Sequence, residues 1–367
     1  MAAVSPHRPA SRRAERALAR AAGDRRVLAG AAATAGLALA AGVTRGLVRR
    51  GAEGDGGTDA PSRAYRFKRK EEAREAVTRV ASGRLDDALE HLGEGLDENV
   101  VTAIHEARKD LKKARAVLRL VRDQLGEEVY QRENARLRDA GRTLSGSRDA
   151  VVKVETLDAL AERFSGELPE SYEPLREQLE EERKVSTAAQ SGADSEIRRS
   201  AALAAEEIAA GRAAIEKWAF AKSGWKLLTP GLKRSYGRGR DRFHDVLADP
   251  SPVNVHEWRK RVKDLWYHLR LLRDSWPEVL GEMSDQAHLL SDLLGDHHDL
   301  GVLAEDVQGR RDLAGDREGT DAIVGVIEGR QGEILETAVP IGERLYADSP
   351  KAFVTRLRSY WRAWRPD

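Results

Sequence analysis

Residues 101–125 read VTAIHEARKDLKKARAVLRLVRDQL, and residues 252–276 read PVNVHEWRKRVKDLWYHLRLLRDSW. At a constant offset of 151, counted from His105 and His256, they share ten identities in nineteen ungapped positions. His105, Glu106, Arg108, Lys109 and Lys112 match His256, Glu257, Arg259, Lys260 and Lys263. Leu118, Arg119, Leu120, Arg122 and Asp123 then match Leu269, Arg270, Leu271, Arg273 and Asp274. With the offset shortened by one, Leu144 and Asp149 pair with Leu294 and Asp299. Unrelated helices do not match this well, so a duplicated multi-helix unit is the economical explanation.

The spacing gives the segment a face. Relative to the histidine, the shared cations fall at +3, +4, +7 and +14, which at about 100° per residue is a stripe about 100° wide and about 21 Å long. Leu111, Leu118 and Val121, with Val262, Leu269 and Leu272, lie off that stripe and suit a packing face. Rows of Lys and Arg on charged helices are commonly just solvated. Here the same offsets recur in both copies, and few acids stand at i,i+4 to neutralise them. A duplicated fold would set the two stripes about a pseudo-twofold axis, lining one shared surface.

The rest of the chain bounds what that surface can be. Charged residues make up 34% of the 367 residues, aromatics 5%, and Ala, Leu, Glu and Arg dominate, a helix-rich composition with no alternating β-branched run. There is no cysteine, which excludes disulfides and thiolate chemistry. The net charge of +1 conceals an asymmetry: residues 1–60 hold ten basic and five acidic side chains, leaving 52 and 56 for residues 61–367, a net −4. A polyanion site on the folded part must therefore come from local clustering.

Residues 1–62 read as an Ala/Gly/Arg-rich basic arm and Gly-rich linker, disordered or partly helical. Residues 27–44 are uncharged and reach the lower edge of a membrane span, but Ala and Gly dominate them, so the drive to insert is weak. From Tyr65 the periodicity is helical throughout. It predicts helices over 67–92, around His105, and over 127–144, 148–164 and 174–189. A long Ala-rich helix over 195–228 follows, then helices over 278–294, 300–311, 320–346 and 351–364, with Pro230 opening the second half. Residues 231–247 are basic.

A cationic row about 20 Å long suits a ligand with regularly repeated negative charge, held by Lys as point charges and by Arg in bidentate fashion. Aromatics spaced to stack bases are missing, as are helix-turn-helix and zinc-finger signatures. A phosphate polymer without bases fits better than a specific nucleic acid.

HEARKDLKKARAVLRLVRD and HEWRKRVKDLWYHLRLLRD, each followed by a downstream LSGSRD or LGDHHD, resemble the two halves of a CHAD domain. The resemblance spans about residues 64–365 and implies an all-α fold of two similar four-helix bundles with long charged helices, related by internal duplication. The halves would be about 64–229 and 230–365 of one domain, 63–367. It implies binding of inorganic polyphosphate, in the cytoplasm and on polyphosphate granules. Its contacts would be His105, Arg108, Lys112, Lys113, Arg115, Arg119, Arg142 and Arg148, with His256, Arg259, Lys263 and Arg270; the stripe adds Lys109 and Lys260. Trp266 stands where Arg115 predicts a cation, and His298 stands opposite Arg148, which puts the second half-site in doubt.

Catalytic signatures are not in evidence: no phosphate-binding Gly-rich loop, no nucleophile elbow, and no paired carboxylates in an apolar setting. Glu180-Glu181-Glu182-Arg183-Lys184 spells the ExExK of a triphosphate tunnel, but in a helical, charge-saturated stretch. Adjacent His297 and His298 point about 100° apart, so at most one could share a metal ion with Asp299. The expectation is a binding protein without cofactor, metal or catalytic residue. The alternatives are a polyphosphate- or phosphoester-processing enzyme using His105 or His256, or a nucleic-acid binder.

Overall fold

The structure is a computed structural model that describes residues 63–144, 148–164, 169–192, 194–314 and 317–365. The basic arm, the 27–44 segment and the linker lie outside the described residues, and no helix among the described residues is long and apolar enough to cross a membrane. Every regular element described is helical, as Ala, Leu, Glu and Arg dictate. In chain order these are α1 (Ala73–Leu92), α2 (Glu94–Glu98), α3 (Val100–Leu125), α4 (Glu127–Thr143), α5 (Arg148–Arg163) and α6 (Tyr172–Gly192). They continue with α7 (Asp194–Ile215), α8 (Gly224–Ala248), α9 (Pro252–Leu272), α10 (Pro277–Ala314), α11 (Arg317–Leu345) and α12 (Pro350–Trp364), with a 3₁₀ turn at Arg273–Ser275.

The two copies of the repeat are α3 and α9. Asn99 caps α3 by accepting from Thr102 N at 2.9 Å. Gly126 ends α3 with φ at 82°, a left-handed value that favours glycine, and its N–H donates to Arg122 O at 3.1 Å. That turn sends α4 straight back along α3. Helices α1, α3, α4 and α7 pack in a closed ring, α1 on α3, α3 on α4, α4 on α7 and α7 on α1. After them α8, α9, α10 and α11 pack in succession, and α12 returns onto α8. Helices α5 and α6 pair with each other, and α5 lies against α10.

The halves meet through α3, which packs on α8 and α9. Gly231 of α8 makes this possible: a Cβ there would sit 1.8 Å from Leu120 O, so only a bare backbone lets the helices approach. From Arg119 to Ala116 down α3, the partners on α9 go up from Asp264 to His268, so the two signature helices run antiparallel where they touch. Buried His268 places Nε2 3.0 Å from Ala116 O at that crossing. The apolar core is one cluster running from Tyr65 to Trp361 across both halves.

Several boundaries differ from the sequence expectation, each for a packing reason. Helix α1 starts at Ala73, not at residue 67, because Tyr65 and Phe67 are drawn into the joint between the halves. Tyr65 OH donates to Lys113 O at 3.3 Å and its ring meets Tyr267 edge-on, while Phe67 N donates to Leu271 O at 3.0 Å. The single helix expected over 195–228 is two, α7 and α8, separated by residues 216–223, and Pro230 lies inside α8 rather than opening the half. Thr229 Oγ1, just before the proline, donates to Trp225 O at 2.9 Å. The two helices expected over 278–311 are one, α10, because Leu290, Leu293, Leu294, His297 and Leu300 keep a buried stripe running through Gly295.

Candidate functional site

The crossing of α3, α4, α8 and α9 gathers cations around one acid. Asp264 of α9 is 2% exposed. Its Oδ1 lies 2.8 Å from Arg119 Nε of α3, and its Oδ2 lies 2.9 Å from Arg261 Nη1, one turn earlier on α9. These are ion pairs by distance, but the geometry is not that of hydrogen bonds, and Arg119 Nε and Asp264 Oδ2 are both shielded from solvent without an aligned partner. The donor directions of this cluster are thus not used up by the carboxylate.

Arg115, one turn before Arg119, donates from Nε to Asn134 Oδ1 of α4 at 3.1 Å. Burial first, and then the charge of Arg119, push Arg115 down to about 10; Arg138 of α4 adds to this and Asp264 opposes it. Arg238 of α8 is likewise lowered, by burial first and Arg261 next, against Asp264. Arg115, Arg119, Arg238 and Arg261, from three helices, therefore act around the carboxylate of Asp264, while Arg138 at the edge is held by Asp139 at 2.8 and 3.0 Å. Guanidiniums lowered by burial first, and then by one another, mark a place short of negative charge.

Of the sequence candidates, the structure brings Arg115 and Arg119 into this cluster. Arg138, Arg238 and Arg261 were not foreseen. Arg238 had a visible signal, the basic run over 231–247, and Arg261 lies inside the second signature but off its shared offsets, whereas Arg138 lies in a segment with balanced charge. Arg234 of the same run hydrogen-bonds Arg119 O at 3.2 Å and pairs with Asp123, buttressing α3.

The other candidates are spread along α3 and α9. His105 and Arg108 are half-buried and Lys112 is exposed, about one to three turns before the cluster; Lys263 is half-buried on α9. The expectation that acids leave the stripe alone is corrected: they act at i,i+3 rather than i,i+4. Lys109 pairs with Glu106 at 3.0 Å, Lys260 with Glu257 at 2.5 Å, and Lys113 with Asp110 at 3.4 Å. Buried Asp110 also holds buried Arg84 at 3.0 Å, so Lys113 balances an internal charge. Arg142 is exposed on α4, 3.5 Å from Asp139. The side chain of Arg148 lies outside the described residues.

Where the repeat departs from symmetry, the structure fills the gap with rings. Trp266 is 4% exposed, stacks on Tyr267 with centroids 4.8 Å apart and meets His288 of α10 at 4.1 Å. Arg270 lies between the rings of Tyr65 and Trp266, 5.3 and 5.4 Å from their centroids. The cationic cluster thus has no aromatic-free twin on the Trp266 side.

A second group stands at the start of α9. His256 and His298 of α10 face each other with ring centroids 4.3 Å apart, and Arg259 packs along α10 at Gly295. Burial foremost, then His298, Lys260 and Arg259, push His256 down to about 4. His297 is 3% exposed and burial pushes it down to about 4 as well, so the His297-His298 pair splits between core and cleft. Glu180-Glu181-Glu182-Arg183-Lys184 lies in α6 as expected: Glu180 pairs with Arg183 and Glu182 with Arg310, both at 2.6 Å.

No curated protein matches the chain. The family model of the CHAD domain matches residues 79–308, from α1 into α10 and so through both signature helices, the arginine cluster and the histidine pair. That span is more than half of the 367 residues, and the chain belongs to the CHAD domain family.

Proposed function

We propose that this chain binds inorganic polyphosphate without transforming it, in the cytoplasm and in association with polyphosphate granules. The observation that carries the reading is the cluster of Arg115, Arg119, Arg238 and Arg261 around Asp264, a local excess of positive charge on a folded part that is net acidic. Family membership is consistent with a polyphosphate-related role. Arginine suits closely spaced phosphates, which accept two donors at once and release counterions when neutralised. His105, Arg108, Lys112, Arg259 and Lys263 extend the row away from the cluster along α3 and α9.

The duplication belongs to the same proposal: two similar four-helix bundles related by a pseudo-twofold axis at the α3–α9 crossing. Two features support it. The antiparallel contact is what such an axis would produce, and α4 with α5 spans 127–163 where α10 spans 277–314.

The test is titration of the full chain with polyphosphate at two salt concentrations, wild type beside Arg115→Ala/Arg238→Ala. The expected result is steeply salt-dependent binding, with affinity lowered at least tenfold in the double variant. Equal affinity for mixed-sequence DNA, or phosphate release that disappears in His105→Ala, would overturn it.

A further inference from the structure

The crossing cluster is not the only place where anion-seeking groups converge. His256 lies one turn into α9, and its ring faces that of His298 on α10 at 4.3 Å between centroids, inclined by 38°. Arg259 follows one turn later. A Cβ on Gly295 would come within 2.9 Å of its Nη2, so the guanidinium is laid along the α10 backbone beside the two rings. His256 Nδ1 and Arg259 Nε are both shielded from solvent and have no hydrogen-bond partner. An unpartnered imidazole nitrogen and an unpartnered guanidinium N–H side by side leave an acceptor group unsupplied.

The charges acting on the rings come from both helices. On α9 they are Glu257, Arg259 and Lys260, and Glu257 is already paired with Lys260 at 2.5 Å. On α10 they are Asp299 and Glu305, which favour protonation of His298, and the neighbouring ring itself, which opposes it. Helix α11 approaches through neutral Gln331, whose Nε2 donates to His297 O at 2.9 Å. Helix α5 brings Lys153, closed on Asp306 at 2.5 Å further along α10. Two touching imidazoles beside two cations resist protonation, and both rings are held below the ordinary histidine range, mainly by burial.

We propose that His256, His298 and Arg259 form a proton-linked phosphate subsite, in which a bound phosphate group draws protons from solvent onto the imidazoles, so that polyphosphate binding takes up protons and tightens as pH falls. The inference rests on the polyphosphate reading and adds its regulation. The step is a transfer from buffer acid to imidazole nitrogen, each ring gaining one positive charge opposite the phosphate oxygens. The sequence makes the halves unequal here, since His298 stands opposite Arg148, a residue that does not titrate in this range. One half-site would then carry two imidazoles, His256 and His298, and its counterpart one, His105.

The test is calorimetric titration of the full chain with polyphosphate in buffers of different ionisation enthalpy from pH 5.5 to 8, wild type beside His256→Gln, His298→Gln and Arg259→Gln. Wild type should take up about one to two protons near pH 6, with affinity rising up to about tenfold per proton per pH unit below the bound-state pKa. Each His→Gln variant should lose its share of that uptake and of the slope. Histidine C–H resonances of the unmutated chain provide a check that does not depend on a variant folding. Two of them should titrate at higher pH with polyphosphate than without. Binding with no proton uptake, or uptake unchanged in both His variants, overturns the subsite and leaves polyphosphate binding standing; absence of binding at every pH removes both.

Discussion

Asp264→Asn separates a fold that needs its carboxylate from a site that lacks anions. The change keeps the shape and removes the charge that faces Arg119 at 2.8 Å and Arg261 at 2.9 Å. Removing one partner of a buried ion pair costs about 3–5 kcal/mol, because the remaining charge is left uncompensated. Here the guanidiniums are 18% and 17% exposed, so water takes up part of the loss, and about 2–3 kcal/mol is the expected destabilisation. For a domain of this size that lowers Tm by about 4–6 °C.

The same change raises the charge of the arginine cluster by one. At an effective dielectric of about 20 and a few ångströms, one added charge is worth at least about 1 kcal/mol toward a phosphate after screening, or about fivefold or more in affinity at low salt. The salt dependence should steepen by about 0.7 in log K against log salt, the value for one further counterion released from a flexible polyanion. The two effects are linked, since polyphosphate at about 100 times its Kd stabilises the folded state by about 2.7 kcal/mol, and by more where it binds more tightly. Melting curves of wild type and variant, with and without polyphosphate, read this directly. The Tm gap should shrink when polyphosphate is present. A gap of the same size in both conditions, with affinity unchanged or weaker, would refute the reasoning and make Asp264 a residue of the fold alone.

Other outcomes follow from single positions. His297 is buried and held neutral, with a folded pKa of about 4 against about 6.5 unfolded. Its contribution is therefore complete above about pH 6.5 and lost as pH falls toward 4, about 3 kcal/mol in all. Urea melts at pH 7.5 and 4.5 should show the loss, and His297→Gln should lessen it; a flat profile contradicts the assignment. Gly231→Ala drives a Cβ into Leu120 O and should cost at least about 3 kcal/mol by parting α3 from α8. Gly329→Ala on exposed α11, with nothing within 4 Å, should instead stabilise by about 0.5–1 kcal/mol. Denaturant midpoints moving together would defeat that contrast. Trp266→Arg restores the repeat but buries a charge beside Arg270, so stability should fall by about 3 kcal/mol or more with no gain in polyphosphate affinity. Tighter binding by that variant would show that the second half-site was merely blocked.

What the sequence revealed, and what it hid, divides along a physical line. Periodicity is local, so the helices around His105 and His256, and those over 127–144 and 351–364, were legible from apolar spacing and caps. Interruptions were not. Gly295 in α10 looked like a break, but a glycine surrounded by buried leucines stays helical when tertiary packing outweighs its propensity cost of about 1 kcal/mol. Tyr65 and Phe67 fitted a helical period, yet the joint between halves claimed them as extended-chain anchors. At the site, the wheel placed Arg119 on the working face, and the family resemblance added Arg115. The wheel could not show that Lys109 and Lys260 lean back on acids three residues earlier, nor that Arg238 and Arg261 come from two other helices to surround Asp264.

That last point changes what the repeated segment is for. A stripe on one helix would bind a polyanion equally well in either half alone. The cluster cannot, because Arg115 and Arg119 come from the first half and Arg238, Arg261 and Asp264 from the second. The carboxylate of Asp264 is what lets the arginines of the two halves approach without an anion present, and it leaves them an unbalanced excess. On the other side of the α3–α9 crossing, Trp266, Tyr267 and Tyr65 hold the same two helices together with ring contacts and enclose Arg270. One side of the joint is thus glued by aromatic packing and the other is held short of negative charge. On the proposed duplication the two signature helices start as equivalents, and their difference at positions 115 and 266 leaves the arginines on one face of the junction.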